Sequence, residues 1–221
     1  MPSRTLSGLG MSNSGSIATD ALVDRRLRGS RTRTRILETA RTLFGARGVA
    51  QVTVEEIMVT AGLSRATFYL HFTGKASVMV ALLEEQGVTL LEFFRVLASG
   101  PQPNLTRVRK WVRVFVRIIR RNADMLNVIQ LGATDERVRA VLADHRSRAL
   151  AALGERFPAF DCRHDDLRER SRRFTRAAVF LAGLVGGVRL IALEHQVANE
   201  EAAIDAVAAE LLACLLEPAS G

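Results

Sequence analysis

Cysteine is nearly absent, with only Cys162 and Cys214 in 221 residues. Two thiols so far apart make no disulfide scaffold, and that usage fits a reduced cytosol. No long apolar stretch stands near the N-terminus, so a secretory signal is not evident. The one candidate membrane segment, Ala177 to Val188, is bounded by Arg176 and Arg189. It falls short of the roughly 20 apolar residues that a bilayer requires and reads as a buried helix. Catalytic signatures are missing too. There is no G-x-S-x-G, phosphate loop, nucleotide fingerprint or paired carboxylate in an evident cleft, so an enzyme is not indicated. Cys162, His164, Asp165 and Asp166 are close in sequence, but no H-x-x-x-H pair accompanies them. Neither a metal nor any other cofactor is therefore expected. Strand-like alternation and internal repeats do not occur.

Basic charge, by contrast, is abundant. The chain carries a net charge of +8, with a pI near 10.9, which favours a polyanionic partner. The excess is uneven: residues 1–80 hold 11 Lys and Arg against 5 Asp and Glu, while residues 81–221 hold 20 against 18. The length suffices for a small head and one larger domain with a real core.

The apolar pattern is helical throughout and predicts an all-α fold. Residues 1–29, rich in Ser, Gly and Thr, read as a disordered arm. Arg25, Arg26, Arg28, Arg31, Arg33 and Arg35 form a basic run toward the first helix. The run is either a solvated tail or an arm that follows DNA phosphates or enters the minor groove. Helices are expected over about 32–46, 54–61, 64–71, 75–97, 105–121, 123–131, 135–157, 167–196 and 200–216, with a loop over 160–166. Gly48, Gly62 and the Gly100, Pro101, Pro103 group supply stops.

The stretch 53–75, TVEEIMVTAGLSRATFYLHFTGK, is the most informative. Thr53 and Glu56 form a capping box for one short helix, and Val54, Ile57 and Met58 give it a buried face. Gly62 permits the positive φ that ends it. Ser64 caps a second helix anchored by Leu63, Phe68 and Phe72. Arg65, Ala66, Thr67, Tyr69 and His71 are left pointing outward, without a single acid. This is how a helix-turn-helix presents a reading surface to the major groove. Thr67 offers a methyl and a hydroxyl to base edges, and Arg65 suits guanine or a phosphate.

These residues carry a resemblance. TAGLSRATFYLHFTGKASVMVALLEE resembles the helix-turn-helix of the TetR family of bacterial transcriptional regulators, and ILETARTLFGARGVAQVTVEEI resembles that family's first helix and the turn into its second. The detailed likeness covers about residues 31–85; beyond it only the helical layout is similar. It implies a three-helix DNA-binding head over residues 30–76 and a helical bundle for ligand binding and dimerisation over residues 77–221. The implied DNA contacts are Thr53, Ser64, Arg65, Ala66, Thr67, Tyr69, His71 and Lys75, with Lys75 on a phosphate and Thr53 near one at a helix N-terminus. Leu70 departs from the family, which often has a polar or aromatic residue there.

The body leaves two alternatives open. Gly183, Gly186 and Gly187, with Ile204, Val207, Leu211 and Leu215, are either internal packing or a face where a second backbone comes close. The resemblance implies the second, a homodimer through the last two helices, suited to a palindromic operator of double-stranded DNA. Phe93, Phe94, Trp111, Phe115, Met125, Leu126 and Phe180 either fill a core or line a cavity, with Asn127, Gln130, Arg113 or Arg176 as its polar groups. The resemblance implies the cavity, for a small, largely apolar effector. The expected protein is a cytoplasmic repressor released by that effector. An activator or a ligand-independent binder would share the head. A helical enzyme or small-molecule carrier would share only the shape.

Overall fold

A computed structural model describes residues 14–123, 135–194 and 197–217, with side chains from Gly29 onward. Among these residues all regular structure is helical: α1 (Ser14–Arg47), α2 (Val54–Ala61), α3 (Arg65–Tyr69), α4 (Lys75–Ser99), α5 (Leu105–Arg121), α6 (Glu136–Gly154), α7 (Leu167–Leu193) and α8 (Glu200–Leu216). Short 3-10 turns occur at Val49–Gln51 and Pro158–Phe160.

Polar caps explain why the helices start where they do. The side chains of Thr53, Ser64, Asn104, Asp135, Asp166 and Asn199 each accept a backbone N–H from the first turn that follows. An orphan donor is satisfied at each, worth about 1 kcal/mol apiece. The Thr53–Glu56 capping box is reciprocal, with Glu56 N to Thr53 Oγ1 at 3.1 Å and Thr53 N to Glu56 Oε2 at 2.8 Å. Gly62 closes α2 at φ 61° and ψ 43°, a left-handed conformation that glycine adopts without strain.

Several boundaries differ from expectation. Helix α1 begins at Ser14, so residues 14–29 are helical rather than a disordered arm. Between Ser14 and Gly48 no proline interrupts the chain, and Ala21, Leu22, Leu27 and the arginines are good helix formers. Residues 1–13 lie outside the described residues. Arg33 is not a free arm cation either: it pairs with Glu85 of α4 at 3.5 Å and lies over the Phe72 ring. Helix α3 stops at Tyr69, short of His71. The expected helix over 123–131 falls almost wholly on residues 124–134, outside the described residues, and so do Met125, Leu126, Asn127 and Gln130.

Two apolar clusters organise the chain. The first joins Ile36, Leu37 and Phe44 of α1, Ile57 of α2, Phe68 and Phe72 around α3, and Val78 and Leu82 of α4. It continues to Leu83 and takes Val138 from α6, so the head's core includes two turns of α4 beyond the expected boundary at residue 76. The second cluster joins Phe94 of α4, Trp111 and Phe115 of α5, Leu150 of α6, Leu184 and Val188 of α7, and Ile204 and Leu211 of α8. Helix α4 thus runs through both cores and packs along α6, while α5 lies across α7 and α8. Each large side chain so buried contributes roughly 1.5–3 kcal/mol.

Helix α7 is long and apolar enough to cross a membrane, contrary to the reading of 177–188 as too short. The apolar stretch extends past Arg189 to Leu193. Ala177, Leu181, Leu184, Val188 and Ile191 of this helix are buried in the second core.

Candidate functional site

The head places α3 at its surface on an apolar keel. Phe68 is fully buried and Phe72 nearly so, with Tyr69 edge-on to Phe68 at a ring distance of 5.4 Å. Ser64 fixes the start of the helix by accepting Thr67 N at 3.1 Å. The Thr67 hydroxyl lies 2.8 Å from Ser64 Oγ, so Thr67 is half-buried and belongs partly to the cap. Arg65 reaches toward Glu55 Oε1 at 3.5 Å and over the Tyr69 ring at 5.5 Å, while staying largely exposed. Ala66 and Tyr69 are exposed, and His71 is half-buried. Leu70, noted in the sequence only as a departure, is 82% exposed. An isolated leucine so exposed, beside Tyr69 and Arg65, adds an apolar point to an otherwise polar surface.

Lys75 is arranged differently from the implied phosphate contact. Its Nζ donates to the Val49 carbonyl at 2.7 Å and the Val52 carbonyl at 2.9 Å. Those carbonyls lie at the start and just past the end of the 3-10 turn between α1 and α2, so the lysine ties α4 to that turn from within. Two of its three N–H donors are used. Thr53, at the rim, spends its hydroxyl and its N–H on the capping box. Glu56 is held below the usual carboxylate range, first by the Thr53 N–H and then by Arg47.

The body contains a cavity of about 480 Å³ between α4, α5, α6 and α7. Of the expected lining, Phe94 and Phe115 are there, while Phe93, Trp111 and Phe180 are not. Phe93 stacks on Trp111 with ring centroids 4.3 Å apart, and Trp111 Nε1 donates to the Phe93 carbonyl at 3.1 Å. With Phe94 and Phe115 they form a filled aromatic core. Phe180 meets Phe160 edge-on and faces a smaller pocket. Arg113 and Arg176 do not line the larger cavity: Arg113 pairs with Glu201, and Arg176 pairs with Glu217 beside Phe180 in the smaller pocket. Leu90, Phe94, Ile118 and Leu181 supply apolar walls.

Polar groups that the sequence reading missed face this cavity. Gln86 Nε2 donates to Asn122 Oδ1 at 2.8 Å, and Asn122 Nδ2 donates to the Ile118 carbonyl at 2.8 Å. His145 of α6 crosses toward Gly87 of α4. A Cβ on Gly87 would stand 2.2 Å from His145 Nε2. Glycine is therefore what lets the imidazole cross α4 at this point. Burial holds the imidazole below its ordinary value, against the carboxylates of Asp144 and Glu84 and with some help from Arg148. A lone glycine in a helix was the available signal, but its partner was not readable.

The glycines of α7 divide. Gly183 and Gly186 are exposed, with open space where a Cβ would stand, while Gly187 faces Val207 of the same chain at 3.4 Å. Ile204, Leu211 and Leu215 are buried in the chain's own core. The expected dimer set is thus corrected: those three are internal packing, and Val207 is half-buried against Gly187. Exposed among the described residues are Val179, Ala182, Gly183, Gly186 and Leu190 on α7, of which Ala182 and Gly186 also line the cavity, and Ala202, Ala206, Ala209, Ala213 and Leu216 on α8. Both sets recur at intervals of three and four, one stripe on each helix.

The remaining notable side chains are local. Asp166 caps α7, and its N–H donates to His164 Nδ1 at 3.1 Å. Both thiols are free, and burial pushes Cys214 up to about 11 and also raises Cys162.

Residues 36–82 match the family model for bacterial regulatory proteins of the tetR family. The chain is 35% identical over 89 residues to the HTH-type transcriptional regulator SrpR of Pseudomonas putida, a match covering 40% of this chain and 38% of that protein. It is 28% identical over 130 residues to the HTH-type transcriptional repressor BepR of Brucella suis biovar 1, covering 59% of this chain and 56% of that protein. The chain therefore spans about two fifths to just over half the length of these curated relatives. Among solved structures, Salmonella enterica GusR superposes with a TM-score of 0.60 at 20% identity, over 83% of this chain and 96% of that one. At that identity the likeness is one of fold.

Proposed function

We infer that the chain, whose residues 36–82 match the tetR-family model, is a TetR-family regulator: a sequence-specific DNA-binding transcriptional repressor released by a small, largely apolar effector. The observation that carries this reading is the α3 surface. A helix fixed by the Ser64 cap and the buried Phe68 turns Arg65, Tyr69 and Leu70 outward together. Arg65 suits a guanine edge, Leu70 suits a thymine methyl, and Tyr69 and His71 suit phosphates. Ala66 sits flush enough to let a groove approach.

The protein acts as a cytoplasmic homodimer that pairs through the small-residue stripes of α7 and α8. Two heads related by a two-fold axis then meet half-sites roughly 34–36 Å apart on a palindrome. The effector occupies the cavity beside α4. Because α4 belongs to both cores, a shift at Gly87 and His145 is passed to the head, and effector and DNA affinities are reciprocally coupled.

Selection of bound duplexes from a random pool tests the reading. A two-fold symmetric sequence should be enriched, and footprints on it should weaken with increasing salt. Binding without sequence preference, or none, would remove the regulator assignment.

A further inference from the structure

The cavity beside α4 has a one-sided charge. Among the described residues that line it there are two guanidinium groups, Arg146 of α6 and Arg189 of α7, and no carboxylate. Elsewhere in the body arginine is mostly paired: Arg109, Arg113 and Arg120 of α5 meet Asp205, Glu201 and Glu200 of α8. Arg146 and Arg189 have no ion pair among the described residues. Arg146 is exposed and Arg189 half-buried, so they stand where the cavity meets solvent rather than in its apolar depth. The depth is walled by Leu90, Phe94, Phe115 and Leu181, with the Gln86–Asn122 pair as a neutral polar point.

This arrangement fits a molecule with an apolar body and an anionic end. The apolar portion gains by leaving water, and the anion meets a guanidinium that is not already neutralised. A cationic amphiphile would meet two like charges and no carboxylate in the lining, while the acids Asp144 and Glu84 stand around His145. A volume of about 480 Å³ lies within the range of small-molecule sites. We propose that the effector is an amphipathic carboxylate or similar monoanion, its apolar body between α4 and α5 and its anionic end on Arg146 and Arg189. This rests on the reading of the cavity as the effector site.

The test uses the full-length protein and calorimetric titration with two matched series. One is dodecanoate, dodecanamide and dodecyltrimethylammonium below their micelle-forming concentrations. The other is 2-naphthoate with its amide and its trimethylammonium counterpart. The carboxylate of at least one series should bind about tenfold to a hundredfold more tightly than its amide, the range of one charge-assisted hydrogen bond. In the Arg146→Gln, Arg189→Gln double variant that preference should vanish while amide binding stays within about twofold. Arg146 is exposed and Arg189 only half-buried at the mouth of the cavity, so the variant should fold, as circular dichroism will show. A Leu90→Trp variant, which narrows the apolar wall, should weaken carboxylate and amide alike. If the amide or the ammonium matches the carboxylate, and Leu90→Trp still weakens binding, the anion assignment falls and the cavity remains the effector site. If Leu90→Trp leaves binding unchanged, or no probe binds, both assignments fall.

Discussion

At the scale of single residues, Lys75 separates two physical roles. A lysine at the start of α4 beside DNA was expected to neutralise a phosphate, yet its ammonium bridges the Val49 and Val52 carbonyls. Spacing alone cannot reveal this, because a flexible four-carbon stem reaches either way. Removing the ammonium takes that donor from the Val52 carbonyl and leaves the Val49 carbonyl only the Val52 N–H at 3.4 Å, at about 1–3 kcal/mol for a buried group left unsatisfied. Lys75→Ala should therefore lower the melting temperature measurably and weaken specific and random DNA together, with the salt slope unchanged. A slope reduced by about one, with stability intact, would restore the phosphate role. Arg65 gives the complementary case. Its pairing with Glu55 is exposed and weak, so it is available to a base. Arg65→Ala should cost about 1–3 kcal/mol on the selected operator and little on random duplex. An unchanged preferred sequence would show that Arg65 reads nothing.

Elements were legible where capping chemistry is local. Thr53 with Glu56, Ser64, Gly62 and the Asn104 start can be read directly, because each depends on residues within a few positions. What could not be read depends on distant partners. The α1 extension was masked by a Ser- and Gly-rich composition. The aromatic set of α4 and α5 looked like a pocket wall, but Phe93 and Trp111 satisfy each other by stacking. The crossing of α4 and α6 at Gly87 and His145 joins residues 58 positions apart. That crossing makes a pH prediction. The folded imidazole has a lowered pKa, so the unfolded chain binds more protons near and below the ordinary value of about 6.5. The contribution of His145 is fully present above pH 6.5 and is lost as pH falls toward the depressed folded value. Its surroundings include Asp144 and Arg148 on α6 and Glu84 on α4, so the slope reports their balance as well. Melting temperatures from pH 7 to 5 should fall more steeply for the parent than for His145→Gln. Parallel curves would mean that the imidazole titrates as it does in the unfolded chain.

For the whole molecule, pairing through the stripes on α7 and α8, as proposed above, would set how the two heads are spaced. Leu211 and Ile204 looked like interface residues because an apolar stripe does not by itself say whether it faces its own core or a partner; the fold turns them inward. The outward stripe consists of small residues, and Gly183 has open space where a side chain would begin. Small residues let two backbones approach, and a long charged side chain there prevents it. Gly183→Arg on α7 and Ala209→Arg on α8 both lie on the stripes and outside the wall of the cavity. Each should give a folded protein, since the glycine change even gains up to about 1 kcal/mol of helix propensity. By light scattering each should be monomeric. Operator affinity should fall by roughly a hundredfold or more, because the two half-sites no longer bind as one linked pair. Leu211→Glu should behave differently: it buries an unpaired carboxylate in the protomer's own core and should yield unfolded chain rather than folded monomer. If Gly183→Arg and Ala209→Arg both stay dimeric and hold the operator as tightly as the parent, the subunits meet through another face. If Leu211→Glu gives a folded monomer, the leucine belongs to the interface after all.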